Sequence, residues 1–154
     1  MIELLKELQE RIAILEERLN NLVKVGRIVA VNPQKATARV EFEDRDKTVS
    51  WEIPILHNHT YKDKTYWMPR IGELVYVITP SLGEGLGVII GSSYNSQDPP
   101  PESDGNIVKI LFEDGTTIQY DKGNHKLYIH SVGDIEIVSD THIVLKAPRI
   151  DLNP

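Results

Sequence analysis

The residues best suited to metal chemistry are two histidines separated by one residue, His57-Asn58-His59. Imidazole nitrogens bind zinc, but a protein zinc site needs at least a third ligand at suitable spacing. The surrounding stretch, residues 56–68, is rich in Lys, Asp and Tyr and offers no third ligand in a recognised motif. The pattern favours a solvated loop, so we expect no metal and no cofactor.

Motifs for catalysis are also missing from the sequence. Its serines do not occur in a G-x-S-x-G elbow, and there is no G-x-x-x-x-G-K-[ST] phosphate-binding loop. The glycine-rich run Gly83-Glu84-Gly85-Leu86-Gly87 lacks the strand-to-helix context that a dinucleotide-binding loop requires. We therefore expect no catalytic residues and no enzymatic activity.

Composition restricts the remaining classes of function. The chain has 154 residues, with 17 basic and 23 acidic side chains and a net charge of −6. Without a polybasic run, binding to nucleic acid is not expected, because such binding depends on neutralising phosphates. The sequence has no cysteine, which excludes disulfides and thiolate metal sites. Its N-terminus is charged, unlike a signal peptide, so we expect a soluble protein made in a cytoplasm.

The first elements that would position a functional surface are heptads in residues 1–24. Apolar residues repeat every seven positions in two series, which is typical of a coiled-coil helix. The a positions are Leu5, Ile12 and Leu19, and the d positions are Met1, Leu8, Leu15 and Leu22. No Gly or Pro interrupts the segment before Gly26. We expect a helix of about 33 Å.

The charges flanking these heptads favour parallel self-association. Arg11 is at a g position and Glu16 at the e position five residues later, a spacing that pairs neighbouring helices in parallel coiled coils. Leu4 and Ile14 widen the apolar surface beyond the a and d positions, which suits more than two helices. The alternative is a single amphipathic helix that packs on its own domain.

Residues 25–95 change to the period of β-strands. Five short segments, separated by turns rich in Gly, Pro and Asp, predict a small barrel of the OB type. The segments are Val25–Val31, Ala36–Glu43, Thr48–Pro54, Glu73–Thr79 and Gly87–Ser92. A proline-rich linker over 96–104 and a hairpin with its turn at Asp114-Gly115 are expected next.

The C-terminal residues repeat every eight positions. Each unit has two apolar residues two apart, which places them on one face of a short strand. They are Leu127 and Ile129, Ile135 and Ile137, and Ile143 and Leu145. A strand with so few apolar residues cannot form a core alone, so neighbouring units or chains must stack. An ordinary β-meander is the alternative, and the outward positions of His130 and His142 argue against an axial metal.

The order of these parts resembles the phage baseplate assembly protein V family. This family forms the central spike of contractile tails and is related to the spikes of type VI secretion and tailocin systems. The similar segments are Val25-Gly26-Arg27-Ile28, Ser50-Trp51 with Pro54, Pro69-Arg70-Ile71-Gly72-Glu73-Leu74-Val75, Gly87-Val88 with Gly91-Ser92-Ser93-Tyr94-Asn95, Asp114-Gly115-Thr116 with Ile118-Gln119-Tyr120-Asp121, and Lys146-Ala147-Pro148-Arg149-Ile150-Asp151-Leu152.

The resemblance implies a mainly β homotrimer with an N-terminal coiled coil (1–24), a five-stranded OB-fold barrel (25–95), a linker (96–104) and an intertwined trimeric β-helix (105–154). It implies a structural spike in the virion tail baseplate, assembled in the bacterial host cytoplasm. Its partners would be a tail-tube or baseplate hub protein and, transiently, the target membrane. Because His57-Asn58-His59 lies in a barrel loop rather than at an apex, a separate PAAR-like tip protein is expected. Its docking residues would be Leu152, Asn153 and Pro154.

Two other functions remain open from the sequence. A nucleic-acid-binding OB module could stack bases on Trp51, Tyr61, Tyr66 and Trp67, although a basic groove is missing. A receptor-binding fibre would also use trimeric β-structure, but no globular head segment is evident in the sequence.

Overall fold

The computed structural model describes residues 1–44, 46–80 and 87–152. Contacts divide the chain into two units, Met1–Ser96 and Gln97–Pro154. The protein is mainly β, with one N-terminal helix and curled antiparallel sheets. The elements are α1 (Ile2–Leu22), β1 (Val23–Asn32), β2 (Thr37–Phe42), β3 (Ile53–Pro54), β4 (Leu74–Ile78), β5 (Val88–Ser92), β6 (Ile107–Leu111), β7 (Thr117–Asp121) and β8 (Lys126–His130).

The helix α1 leads directly into β1 without a loop. It ends at Leu22, two residues before the expected boundary, because Val23 already adopts extended backbone and pairs with Ile78. The Thr79 backbone N–H donates to the Leu22 carbonyl at 2.8 Å, and the Thr79 hydroxyl donates to the Asn21 carbonyl. These bonds satisfy two carbonyls that a helix end leaves without intrahelical partners, and they tie α1 to the end of β4.

The first unit contains a five-stranded sheet with the order β3-β2-β1-β4-β5, in which all neighbours are antiparallel. The sheet curls until its two edge strands meet. A parallel bridge joins Ile55 to Ile89, and the Leu56 N–H donates to the Ile89 carbonyl at 2.8 Å. Register shifts in β1 and in the β4–β5 pairing mark bulges, which increase the local bend of a strand.

The core lies inside this curled sheet. Its buried residues are Ile28, Ala38, Val40, Phe42, Ile53, Val75, Val77 and Ile89. On β2 and β4 they occupy alternate positions, as expected for strands with one buried face. Gly26 is required for close packing, because a Cβ there would overlap the Glu41 carbonyl and lie 2.5 Å from Val40 Cγ1.

Ser50 extends the sheet where regular pairing of β2 stops. It is the buried polar residue of the described core. Its N–H donates to the Val40 carbonyl at 2.8 Å, and its Oγ accepts from the Val40 N–H at 2.9 Å. The same hydroxyl donates to the Trp51 carbonyl at 2.8 Å. These bonds satisfy groups that would be costly to bury without partners, and they explain a serine inside an apolar core.

The second unit contains an antiparallel sheet with the order β6-β7-β8. Aspartates hold both of its turns. Asp114 accepts the Thr116 N–H at 2.9 Å, and Asp121 accepts the N–H groups of Gly123 and Asn124 at 2.9 and 3.0 Å. Such side-chain bonds to nearby backbone are a common way to stabilise turns.

The β-helix expected over 105–154 is not shown in the single chain. Residues 107–130 form the antiparallel sheet, whereas the described residues 131–152, which we call the repeat tail, form no strand pairs. The backbone of the tail nevertheless bends at 132–133, 140–141, 148 and 152, and the first three of these bends lie eight residues apart. The period predicted from the sequence is therefore present as a local conformation, and the tail lacks only strand neighbours.

Candidate functional site: unpartnered apolar surfaces

The first candidate surface is the row of a and d residues on α1, which we call the helix stripe. No described residue of α1 is buried, and each member of the stripe has 41–95% of its surface exposed. The members are Met1, Leu5, Leu8, Ile12, Leu15, Leu19 and Leu22. Large apolar patches of this kind on a soluble protein usually mark an interaction site. The alternative of a helix packed on its own domain is wrong for the single chain, since no member of the stripe is buried among the described residues.

The second candidate surface is one side of the β6-β7-β8 sheet, which we call the sheet face. Cross-strand pairing places Ile110, Ile118 and Ile129 in one row and Val108, Tyr120 and Leu127 in another. All six side chains point to the same side, because directly paired residues share a face. Each has 40–63% of its surface exposed. The sequence indicated Leu127 and Ile129, but not the four residues on β6 and β7 that complete this face.

On β6 and β7 the opposite side of this sheet is the more covered one, although it is more polar, whereas Lys126, Tyr128 and His130 of β8 are exposed on that side. Ile107, Lys109, Thr117 and Gln119 are half-buried there. Lys109 Nζ donates to Glu102 Oε2 at 2.9 Å, and this hydrogen bond lowers the pKa of the Glu102 carboxyl. This distribution of burial is the reverse of that in a sheet that is stable by itself, where the apolar side is normally the buried one. The sheet face is therefore an exposed apolar surface of the single chain.

The repeat tail presents the third set of exposed apolar residues. Ile135, Ile137, Ile143 and Leu145, predicted as the core of a needle, have 51–71% of their surface exposed in the single chain. The Ser131 hydroxyl donates to the Asp134 carbonyl at 3.5 Å, and the Ser139 hydroxyl makes the equivalent bond to His142 at 3.2 Å. The two bends of the tail are thus built alike, eight residues apart.

The histidine pair is held in an ordered loop. The ring of His57 stacks on Tyr66 with 6.3 Å between centroids, and its buried Nε2 has no hydrogen-bond partner among the described residues. His59 is exposed, and its N–H donates to Thr65 Oγ1 at 3.3 Å. Across the described ranges, no group of three or more His, Cys, Asp or Glu side chains could hold a metal.

The other residues that the sequence suggested as functional are the exposed aromatic residues, the glycine-rich run and the expected docking residues. Trp51, Tyr61, Tyr66 and Trp67 have 63–81% of their surface exposed. In the glycine-rich run Gly83-Glu84-Gly85-Leu86-Gly87, only Gly87 is within the described residues. Of the expected docking residues, Leu152 is exposed, whereas Asn153 and Pro154 lie outside the described part of the chain. No described helix combines the length and apolarity that crossing a membrane requires.

Comparison with known proteins gives one informative relationship. The sequence is 20% identical over 136 residues to the protein named "Spike protein" of Escherichia phage P2. The alignment covers 88% of this chain but 63% of the P2 protein, so the chain spans less than two thirds of its relative. No protein-family model matches the sequence. The similarity supports a place among phage tail spike and baseplate proteins.

Proposed function

We propose that this chain is the central spike of a contractile phage tail or a related injection system, and a member of the baseplate assembly protein V family. The observation that carries the proposal is the similarity to the P2 spike protein over 88% of the chain. In this role the protein is structural, performs no catalysis and needs no cofactor. It resides in the tail baseplate of the virion after assembly in the bacterial host cytoplasm.

The working form is a parallel homotrimer. The helix stripe and the sheet face are both apolar and uncovered, and repeat units with so few apolar residues are stable only when stacked. Three helices would bury the stripe in a coiled coil, and three repeat tails would wind into a β-helix. Arg11 and Glu16 favour a parallel arrangement, because g-to-e pairs of opposite charge form between parallel helices.

The first unit supports an OB-type barrel. Its sheet order β3-β2-β1-β4-β5, with the parallel contact between Ile55 and Ile89, agrees with a five-stranded Greek-key barrel. The connection from β3 to β4 is the one that crosses over, since β4 lies next to β1. We assign this barrel to contact with the tail-tube or baseplate hub protein.

The mechanism is mechanical. Sheath contraction would supply the work, and the spike would pierce the target envelope, making transient contact with its membrane. Dense strand pairing and interchain burial would give the needed stiffness. A PAAR-like tip protein is a further partner in this proposal, with Leu152, Asn153 and Pro154 as its docking residues. Deleting these three residues should leave the trimer assembled and abolish co-purification with the tip protein.

The mass of the protein in solution tests the proposal directly. Light scattering at micromolar concentration should give about three times the 17.5 kDa chain mass. The trimer should also resist SDS at room temperature, because three wound chains must separate together before any one unfolds. A monomeric mass, or ready dissociation in SDS, would contradict the proposed spike.

The exposed aromatic residues support a second candidate function, a nucleic-acid-binding module. Trp51, Tyr61, Tyr66 and Trp67 are exposed on the first unit, and aromatic rings can stack on unpaired bases. The net charge of −6 opposes this function. A filter-binding assay with single-stranded DNA distinguishes the spike from the nucleic-acid-binding module, since a spike should retain no DNA on the filter. A receptor-binding fibre remains the third alternative, and immunolabelling of particles would place it at the tail periphery rather than the tail axis.

A further inference from the structure

The part of the first sheet formed by β1, β4 and β5 is apolar on both sides. Its inner side carries core residues such as Val75, Val77 and Ile89. Its outer side carries a second apolar set, which we call the outer patch: Val23, Val25, Tyr76, Ile78, Val88 and Ile90. Val23 pairs with Ile78, Val25 with Tyr76 and Ile78 with Val88, and directly paired residues share one side of a sheet. Ile90 is 41% exposed next to the buried Ile89, so it also points outward.

The outer side of the neighbouring strand β2 is polar. Thr37, Arg39 and Glu41 alternate with the buried residues of this strand, so they point outward. An antiparallel sheet commonly has one apolar side on the core and one polar side in water, and β2 follows that rule. The residues of the outer patch do not follow it. Burial of the outer patch would therefore stabilise the protein by removing apolar surface from water.

The outer patch begins where the helix stripe ends. Leu22 is the last d residue of the stripe, and Val23 is the first residue of both β1 and the outer patch. No loop separates the two residues. In addition, Thr79 donates hydrogen bonds to the carbonyls of Asn21 and Leu22. These bonds fix the sheet to the end of the helix, so the position of the helix also determines the position of the outer patch.

The spacing of packed helices brings the three sheets together at this point. Helices that pack side by side have axes about 8–10 Å apart, so in the proposed trimer the three β1 strands begin at about that separation. The curled sheet of each chain is at least as wide, since two sheet walls that enclose a core lie about 10 Å apart. The first units of the three chains must therefore touch near Val23. Among the described residues, the outer patch is the apolar surface that begins there.

We infer that the outer patches of the three copies pack against one another around the threefold axis and join the three barrels into one body. Contacts in a threefold ring run head to tail, so Val23 at the β1 edge of one patch would meet Val88 and Ile90 at the β5 edge of the next. This inference rests on the proposed trimeric spike and adds a contact that neither the helices nor the repeat tails supply. A spike joined in this way carries an axial load through all three chains, because no barrel can tilt alone.

Labelling of an introduced cysteine tests this contact, because the chain has no cysteine of its own. Ile90→Cys places a thiol in the outer patch, and Val49→Cys is the matched control. The two parent residues are 41% and 37% exposed in the single chain, but Val49 forms a bridge to Glu41 of β2, away from the outer patch. In the trimer, a maleimide reagent should label the Val49 variant, whereas the Ile90 variant should lose labelling and regain it only after denaturation.

A charge in the outer patch gives a second test that needs no labelling. Ile90→Glu would place a carboxylate inside the contact, so the first unit should unfold at a lower temperature than in the parent, whereas Val49→Glu should unfold as the parent does.

Light scattering of each variant separates the failure of this contact from the failure of the spike. A trimer whose Ile90→Cys thiol reacts as fast as that of Val49→Cys, or whose two glutamate variants unfold alike, would overturn the contact and leave the proposed spike intact. Protection of the Ile90→Cys thiol in assembled particles but not in the isolated trimer would assign the outer patch to the hub protein, and it would also overturn the contact. A monomeric mass of the parent would contradict the spike and this contact together.

Discussion

Ile118 and Ile129 are direct partners across the β7–β8 pairing, yet 40% and 57% of their surfaces are exposed. Two apolar side chains that meet in a regular sheet normally lie on its buried side. Here the half-buried side carries Lys109, Thr117 and Gln119 instead. The apolar side of this sheet is therefore exposed in the single chain, and in the proposed trimer the other chains would cover it.

Leu15→Asp should loosen the coiled coil without dissociating the trimer. Three carboxylates would meet in an apolar interior, where each buried charge costs several kcal/mol. Circular dichroism should show loss of helix at lower temperature than in the unmodified protein, while light scattering still gives a trimer. Glu10→Asp, outside the stripe, is the matched control and should unfold as the parent does. A complete loss of trimer would mean that the helix, rather than the repeat, holds the chains together.

Ile137→Lys should abolish correct assembly, whereas Glu136→Lys should have almost no effect. In the proposed trimer Ile137 points to the axis, so three lysines would come together there at a cost of several kcal/mol per ion. Glu136 is on the outer side. Size-exclusion chromatography of the two proteins distinguishes them. Equal behaviour of the two variants would show that the assignment of inner and outer positions is wrong.

Gly26→Ala should destabilise the first unit. The added methyl would overlap the Glu41 carbonyl and lie 2.5 Å from Val40 Cγ1, and overpacking of this kind costs about 1–3 kcal/mol. Thermal unfolding should therefore begin earlier than in the parent. Gly105→Ala serves as the control, because a Cβ there meets nothing within 4 Å. Unchanged unfolding of the Gly26 variant would show that β1 and β2 can separate slightly at no cost.

Acid should weaken the turns of the β6-β7-β8 sheet. The Asn124 side chain donates to Asp121 and lowers the pKa of its carboxyl, and the Thr116 N–H does the same for the pKa of Asp114. A carboxyl whose pKa is lowered in the folded state stabilises the fold at pH values above its pKa in the unfolded chain, which is about 4. This stabilisation is lost as the pH falls through the pKa of the folded state. Urea midpoints should therefore drop on acidification through this window.

Asp121→Asn separates this effect from general acid unfolding. The amide still accepts hydrogen bonds but carries no charge, so the variant should be less stable than the parent at pH 7. The difference between their urea midpoints should shrink as the pH falls below about 4. Asp140→Asn, outside both turns, is the control. A constant difference between variant and parent at all pH values would refute the role of the carboxylate charge.

The sequence predicted the local elements well, because each depends on neighbouring residues. The heptads that include Leu8 and Leu15 specify a helix wherever the chain places them, and α1 follows them over Ile2–Leu22. The eight-residue period survives in the repeat tail as bends at 132–133 and 140–141. Turn residues such as Asp114 and Gly115 act on their own backbone, so the hairpin between β6 and β7 was also predictable.

Contacts between distant segments could not be predicted in this way. The meeting of Ile55 with Ile89 depends on how far the sheet curls, and the buried role of Ser50 depends on its bonds to Val40. Likewise, only cross-strand register places Val108 and Tyr120 beside Leu127. The sequence by itself determined which residues need a partner, because apolar periodicity is a local property. Only the tertiary structure decided which of them find that partner within the chain, since burial depends on strands brought together from far apart.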